Sequence, residues 1–144
     1  MYKIRPMTAE DALQVSELEQ KYFSEPWSRQ AFLDALAQTS YTYMVAEEMS
    51  EVIGYCGMYR VLDEGNITQV AVREDRRRSG VAQKLMQELV NCGVKLGVTA
   101  YTLEVRVSND GAIRLYETCG FKKESVRKDF YTSPKEDAYI MWKR

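Results

Sequence analysis

Val70-Ala71-Val72-Arg73-Glu74-Asp75-Arg76-Arg77-Arg78-Ser79-Gly80-Val81-Ala82-Gln83 is the stretch on which the reading of this chain turns. A β-branched run stops, a basic turn-forming loop follows, and the small-residue step Ser79-Gly80-Val81-Ala82 opens a long amphipathic segment. A helix N-terminus presents unpaired backbone N–H groups and a partial positive charge, so a strand–loop–helix junction of this composition suits a pyrophosphate. Gly80 leaves the backbone open to a ligand, and Ala82 is nearly as small. Arg76, Arg77 and Arg78 stand beside it as phosphate partners. The Gly-x-x-x-x-Gly-Lys and Gly-x-Gly-x-x-Gly patterns of other phosphate loops are absent. Taken alone, the arginine run also suits a solvated turn or a nucleic-acid patch.

Working outward, the spacing predicts strands and helices in alternation. Residues 2–6 read as a strand, and Thr8 with Asp11 opens a helix whose apolar side carries Leu13, Val15, Leu18 and Tyr22. Ser28 caps a second helix with Phe32, Leu33 and Leu36. Residues 41–47 and 52–62 read as strands joined at Met49-Ser50, and 67–72 as the next strand. The helix over 80–96 carries Val81, Leu85, Leu89 and Leu96 on one face. Residues 99–107 alternate, with Leu103, Val105 and Val107 facing one way and Thr102, Glu104 and Arg106 the other. Asn109 caps a short helix that Gly120 ends. Residues 121–131 and 138–142 close the chain as strands, with Pro134-Lys135-Glu136-Asp137 as the turn between them. This order argues for a mixed α/β domain.

A chain of 144 residues suits one domain, taken as 1–144, with one substantial core. Hydrophobic residues at 45% and charged residues at 28% are ordinary for a soluble globular protein. No apolar run approaches the roughly 20 residues that span a bilayer, and the first residues lack a secretory stretch. Cys56, Cys92 and Cys119 fit neither a disulfide framework nor a zinc site. They read as three buried, inert thiols of a cytoplasmic protein with no metal and no membrane partner. The absence of histidine excludes serine–histidine and cysteine–histidine mechanisms, so acid–base chemistry falls to Glu, Asp, Lys, Tyr or Cys. Residues 1–72 hold 5 Lys/Arg and 11 Asp/Glu, and residues 73–144 hold 15 and 10. An acidic half and a basic half suit a cationic and an anionic ligand on different faces. The net charge of −1 and the lack of a continuous basic stripe weigh against a nucleic-acid partner.

Two segments in this order resemble the GNAT superfamily of acyl-coenzyme A N-acyltransferases. Arg77-Arg78-Ser79-Gly80-Val81-Ala82 matches its pyrophosphate pattern, (Gln/Arg)-x-x-Gly-x-(Gly/Ala), and residues 103–121 are similar to its second signature. Pro26-Trp27-Ser28, Leu62-Asp63-Glu64 and Arg127-x-x-x-Tyr131-x-x-Pro134-x-Glu136-Asp137-Ala138-x-x-Met141 are similar to one bacterial branch of that family. That branch acetylates the N-terminal alanine of small-subunit ribosomal protein eighteen. The chain departs from the pattern at Ala82, Gly111 and Phe130, the last standing where the branch usually has a second tyrosine.

The resemblance implies a single mixed, mostly antiparallel twisted sheet of roughly six to seven strands flanked by about four helices. It implies acetyl-coenzyme A as co-substrate. Val70, Ala71 and Val72 would hold the pantetheine arm through backbone groups, in the manner of strand addition. Arg77, Arg78, Ser79, Gly80, Val81, Ala82 and Gln83 would hold the pyrophosphate. Asn109 would contact the pantetheine side, and its residue type equally suits a helix cap. Glu104 stands where the family keeps a general base and Tyr116 where it keeps a general acid. By spacing alone Glu104 also suits a surface partner for Arg106, and Tyr116 an aromatic packed with Leu115 and Phe121. Trp27, Glu64 and Tyr131 would line the acceptor groove, with Glu25, Asp63 and Glu64 facing a basic peptide. An α-ammonium near ~7.8 is about 2.6 units easier to deprotonate than a lysine side chain near ~10.4, which favours an N-terminal amine. A small-molecule amine is the alternative acceptor, and a coenzyme-binding module without turnover is a third reading. The chain is expected to be a monomer or weak dimer.

Overall fold

A computed structural model describes residues 1–144. The chain forms β1 (Lys3–Pro6), α1 (Ala12–Tyr22), α2 (Arg29–Leu36), β2 (Tyr41–Glu48), β3 (Glu51–Val61), β4 (Glu64–Val72), α3 (Val81–Lys95), β5 (Ala100–Arg106), α4 (Asp110–Thr118), β6 (Lys122–Thr132) and β7 (Lys135–Lys143). The seven strands form one sheet in the order β1-β2-β3-β4-β5-β7-β6. Every neighbouring pair is antiparallel except β4 with β5. The fold class read from the sequence is the one observed.

The parallel pair decides where a ligand can enter. It is joined only where Glu64–Asn66 meet Ala100–Thr102. Yet β4 stays paired with β3 as far as Val72, and β5 with β7 as far as Arg106. Beyond Asn66 the two strands therefore part, and the sheet opens as a wedge with unpaired strand edges on both sides. Unpaired backbone groups of this kind require partners from side chains, water or ligand.

Each face of the sheet has its own apolar core. On one face α3 presents Val81, Leu85 and Leu89 to Ile53, Met58 and Leu103. On the other, α1 and α2 set Val15 and Phe32 against Tyr43, Val45 and Tyr55. Burying each such leucine or phenylalanine contributes about 1.5–3 kcal/mol.

Several boundaries differ from the sequence reading. The β4 strand begins at Glu64 and not at Ile67, because its first residues take their partners from β5, which no local pattern reveals. The closing turn is Ser133-Pro134, and Lys135–Asp137 already belong to β7, since Thr132 pairs with Lys135. Leu13 is exposed, because the buried stripe of α1 runs through Ala12, Val15, Ser16 and Glu19. Leu96 is exposed as the C-cap of α3, one residue past its last helical position. Of the three thiols only Cys56 is buried; Cys92 and Cys119 lie half-buried at the flanks of α3 and α4. Thr8 and Asp11 open a 3-10 turn, Ala9–Asp11, ahead of α1. There the Asp11 carboxylate accepts the Thr8 N–H at 2.8 Å and two bonds from the Arg5 guanidinium at 2.8 Å.

Candidate active site

The loop after β4 is held by ion pairs that leave its backbone free. Arg73 pairs with Glu51 and Asp75, and Arg76 with Glu48 at 2.6 Å. Arg77 donates from Nε to the Val72 carbonyl at 2.9 Å and lies over the Tyr22 ring at 4.6 Å. Arg78 makes no ion pair. The sequence offered all three arginines to phosphate; the structure commits Arg76 to a carboxylate and Arg77 to the loop.

Arg78 and Gly80 both adopt the left-handed conformation, with φ of 67° and 81°. Arg78 and residues 80–83 line one cavity, and left-handed residues in such a loop suit an anion nest of backbone N–H groups. From Arg78 to Gln83 no backbone N–H has an acceptor within the chain, and the first helical bond of α3 runs from Lys84 N–H to Gly80 O at 3.0 Å. A Cβ built on Gly80 would meet nothing within 4 Å, so the donors face open space. These donors and this clearance fit a pyrophosphate. Ser79 plays a different part, its Oγ donating to the Arg76 carbonyl at 2.6 Å.

A cavity of about 610 Å³ runs from this nest along β4, lined by Val70–Val72, Gly80–Gln83 (residues 80–83), Asn109, Ala112 and Tyr116 among others. Strand parity divides the three valine-alanine positions. Arg73 donates its N–H to Ile53 of β3 at 2.7 Å, while the Val72 carbonyl turns away from β3 toward Arg77. Peptide groups of alternate residues point to the same side of a strand. The backbone groups of Val70 and Val72 therefore face the wedge, and those of Ala71 are spent on β3.

A second cavity, about 670 Å³, opens on the α1–α2 side of the wedge, lined by Phe23, Glu25, Trp27, Gln69, Glu104 and Tyr131 among others. Tyr22, Phe23, Val70, Asn109, Ala112 and Tyr116 line both cavities, so the two meet across the split in the sheet. Glu104 stands on the second side. Its Oε2 accepts from Asn66 Nδ2 at 3.3 Å, and the same amide reaches the Thr102 carbonyl at 3.4 Å. Arg106 pairs with Glu136 at 3.1 Å and donates to the Pro134 and Ser133 carbonyls. Glu104 is thus not the partner of Arg106, the plainer role its spacing allowed.

Tyr116 projects from α4, whose first turn is closed by Asn109 Oδ1 accepting the Ala112 N–H at 3.2 Å. Its ring lies 6.1 Å from that of Phe121 while its flank lines both cavities, so packing and exposure to the site coexist. Burial pushes the Tyr116 phenol well above its ordinary range. Burial, and then the nearby Glu104 carboxylate, push Tyr131 up to about 12. Both phenols therefore keep their protons at neutral pH. Arg106 covers the Tyr131 ring at 4.2 Å.

Trp27 enters the second cavity from the segment between α1 and α2, its ring 5.3 Å from Phe32 and 5.8 Å from Tyr41. Glu25 lines the same cavity and accepts from Thr132 Oγ1 at 2.7 Å. Glu64 does not join them. It is exposed at the closed end of the wedge, paired with Ala100, and lines neither cavity. Asp63 beside it accepts from Thr99 Oγ1 at 3.1 Å. Asn66 and Gln69, absent from the sequence reading, do line the second cavity. Only the pairing of β4 with β5 brings Asn66 to Glu104.

A split mixed sheet with an anion nest at the head of α3 defines the class. Residues 12–121 match the acetyltransferase (GNAT) family, and the chain belongs to that family of acyl-transferring enzymes. It is 35% identical over 140 residues, 96% of this chain and 93% of the relative, to the putative [ribosomal protein bS18]-alanine N-acetyltransferase of Bacillus subtilis (strain 168). It is 31% identical over 143 residues, 98% and 96% of the two chains, to the [ribosomal protein bS18]-alanine N-acetyltransferase of Escherichia coli (strain K12). The crystal structure of the Escherichia coli ribosomal-protein-S18-alanine N-acetyltransferase superposes with a TM-score of 0.89, covering 99% of this chain and 93% of that one. Arabidopsis thaliana NAA60 in complex with acetyl-CoA, 20% identical, shares the fold with a TM-score of 0.90, covering 99% and 97% of the chains.

Proposed function

We propose that this enzyme transfers the acetyl group of acetyl-coenzyme A to the N-terminal α-amine of a protein, and that its acceptor is the N-terminal alanine of ribosomal protein bS18 in the cytoplasm. The observation that carries the reading is the meeting of two cavities at the split between β4 and β5. One carries the anion nest, the other carries Glu104, and Tyr116 lines both. The full-length likeness to two bS18-alanine N-acetyltransferases supports the choice of acceptor.

Acetyl-coenzyme A supplies an activated thioester and a leaving thiolate. In this reading the nest of residues 78–83 binds its pyrophosphate, and the wedge-facing backbone of Val70 and Val72 binds the arm. The acceptor enters from the Trp27 and Tyr131 side, and both substrates are bound together. Glu104, directly or through a water, takes the proton from the α-ammonium, and the neutral amine attacks the carbonyl. The N–C bond forms as the carbonyl oxygen becomes an oxyanion met by the Val70 N–H. The C–S bond then breaks, and the Tyr116 hydroxyl gives its proton to the thiolate. The extra proton on the attacking nitrogen passes through water to the Tyr116 phenolate, leaving a neutral amide, while Glu104 releases its proton to solvent. A phenol is protonated at neutral pH, the state this role requires.

The test is mass spectrometry of a synthetic peptide carrying the bS18 N-terminus after incubation with enzyme and acetyl-coenzyme A. The control is the same peptide with its α-amine blocked and its lysines free. A gain of one acetyl group on the free-amine peptide alone is expected. No gain, with coenzyme binding intact by calorimetry, would overturn the peptide acceptor and favour a small amine.

A further inference from the structure

Beneath the second cavity lies a polar cluster that no step above uses. The Glu19 side chain of α1 is 2% exposed and Gln69 of β4 is 5% exposed. Glu19 Oε1 accepts from the Tyr55 hydroxyl at 2.6 Å. Glu19 Oε2 accepts from the Trp27 backbone N–H at 3.1 Å and from Gln69 Nε2 at 3.5 Å. The other end of Gln69 accepts from the Tyr43 hydroxyl at 2.7 Å, and that hydroxyl lies 3.2 Å from Thr68 Oγ1. No cation reaches Glu19; all its partners are neutral. The Tyr43 ring lies over Gly57, where any Cβ would occupy the ring's own space, so the chain makes room for this arrangement at a glycine.

Burying a carboxyl among apolar side chains is unfavourable unless its bonds are made. An apolar residue would leave three donors without their acceptor, the Tyr55 hydroxyl, the Gln69 amide and the Trp27 N–H, and the last of these belongs to the segment between α1 and α2. Among the hydrogen bonds of the backbone and side chains, residues 24–27 hold the body of the protein through Trp27 N–H to Glu19 and Glu25 to Thr132. Trp27, Thr68 and Gln69 all line the second cavity. One carboxyl thus grips both the segment between α1 and α2 and the β4 strand that line this cavity.

We infer that Glu19 is a positioning residue, a latch that fixes the Phe23–Ser28 segment (residues 23–28) against β4 and so shapes the acceptor site without touching the acceptor. The inference rests on the reading of that cavity as the acceptor groove. Breaking the latch releases Trp27 and loosens one wall of the groove while leaving the nest of α3 intact.

The test compares Glu19→Ala and Glu19→Gln, each also made in a Trp142→Phe background so that Trp27 alone reports by fluorescence. For Glu19→Ala the acceptor KM is expected to rise about tenfold, the loss of one well-made hydrogen bond to a buried carboxyl. The Kd for acetyl-coenzyme A should stay within about twofold, and Trp27 emission should shift to the red. Glu19→Gln keeps an acceptor for the Trp27 N–H and should restore both KM and emission. An unchanged KM in a folded Glu19→Ala protein, or equal loss of acceptor and coenzyme binding in both variants, would overturn the latch. If the wild-type enzyme turns over no peptide, the reading of the groove fails instead. The emission comparison then decides the latch alone: a red shift in Glu19→Ala reversed in Glu19→Gln sustains it, and no shift overturns it.

Discussion

At the scale of the residue, the roles proposed for Glu104 and Tyr116 rest on where they stand. Glu104 faces the second cavity with Asn66 as its one side-chain hydrogen-bond partner, and it carries no ion pair that would hold it from a substrate amine. Glu104→Gln keeps the shape and removes the carboxylate proposed as the base. It is expected to lower kcat about 10²- to 10⁴-fold with the coenzyme Kd unchanged, read by steady-state kinetics alongside calorimetry. Tyr116→Phe removes the hydroxyl proposed as the proton donor but keeps the ring against Phe121. Its kcat should fall about 10²-fold with little change in Tm, and the loss should be smaller with an acyl donor whose thiol leaves more readily. Equal rates with both donors would count against the role. The sequence named both residues but could not choose between chemistry and packing for either. The structure narrows the choice for Glu104, because Arg106 is committed to Glu136.

At the scale of the element, the head of α3 depends on backbone conformation more than on side chains. Gly80 sits at φ 81°, where an L-residue is strained by roughly 1–2 kcal/mol. Gly80→Val should therefore weaken acetyl-coenzyme A binding by at least about tenfold in calorimetry, from strain and from a side chain placed where the nest opens. A coenzyme affinity equal to that of the wild type would remove the nest from the binding site. The opposite end of the fold shows the other kind of element-level control. The Arg5 guanidinium holds the Asp11 carboxyl below its ordinary range at the start of α1. Because the folded value lies below the unfolded one near ~3.9, this contribution is complete at neutral pH and is lost as the pH falls through the folded value. Asp11→Asn should lower Tm at pH 7 by about 5 °C, and its Tm should converge on that of the wild type in strong acid.

At the scale of the whole molecule, the split between β4 and β5 joins the two cavities. Hydrogen exchange reads it directly. Without ligand, the Val70 and Val72 amides, which face the wedge, should exchange faster than the Ala71 amide, which is bonded to β3. Acetyl-coenzyme A should slow Val70 and the amides of residues 78–83 together and leave Ala71 unchanged. Uniform protection across 70–72 would mean that the arm does not lie along this edge. The split also explains which candidates gathered and which did not. Glu64 and Glu104 are both acidic strand residues flanking the parallel pair, but Glu64 lies where the strands are joined and Glu104 where they have parted.

The amino-acid sequence by itself determined the local elements and the chemistry available to them. Apolar spacing of 3.6 or 2 is set by backbone geometry, so α3 and β5 were legible before any contact was known. The small residues and lone glycine after β4 marked the nest, because few other residues permit a left-handed turn before a helix. Only the tertiary structure decided the length of the β4–β5 pairing, the commitment of Arg76 to Glu48, the orientation of Ala71 away from the wedge and the latch at Glu19. Each of these joins residues distant in the chain, and such pairings are selected by burial and backbone hydrogen bonding summed over the whole sheet. No local pattern carries that sum, so the site's materials could be read along the chain while its shape arose only on folding.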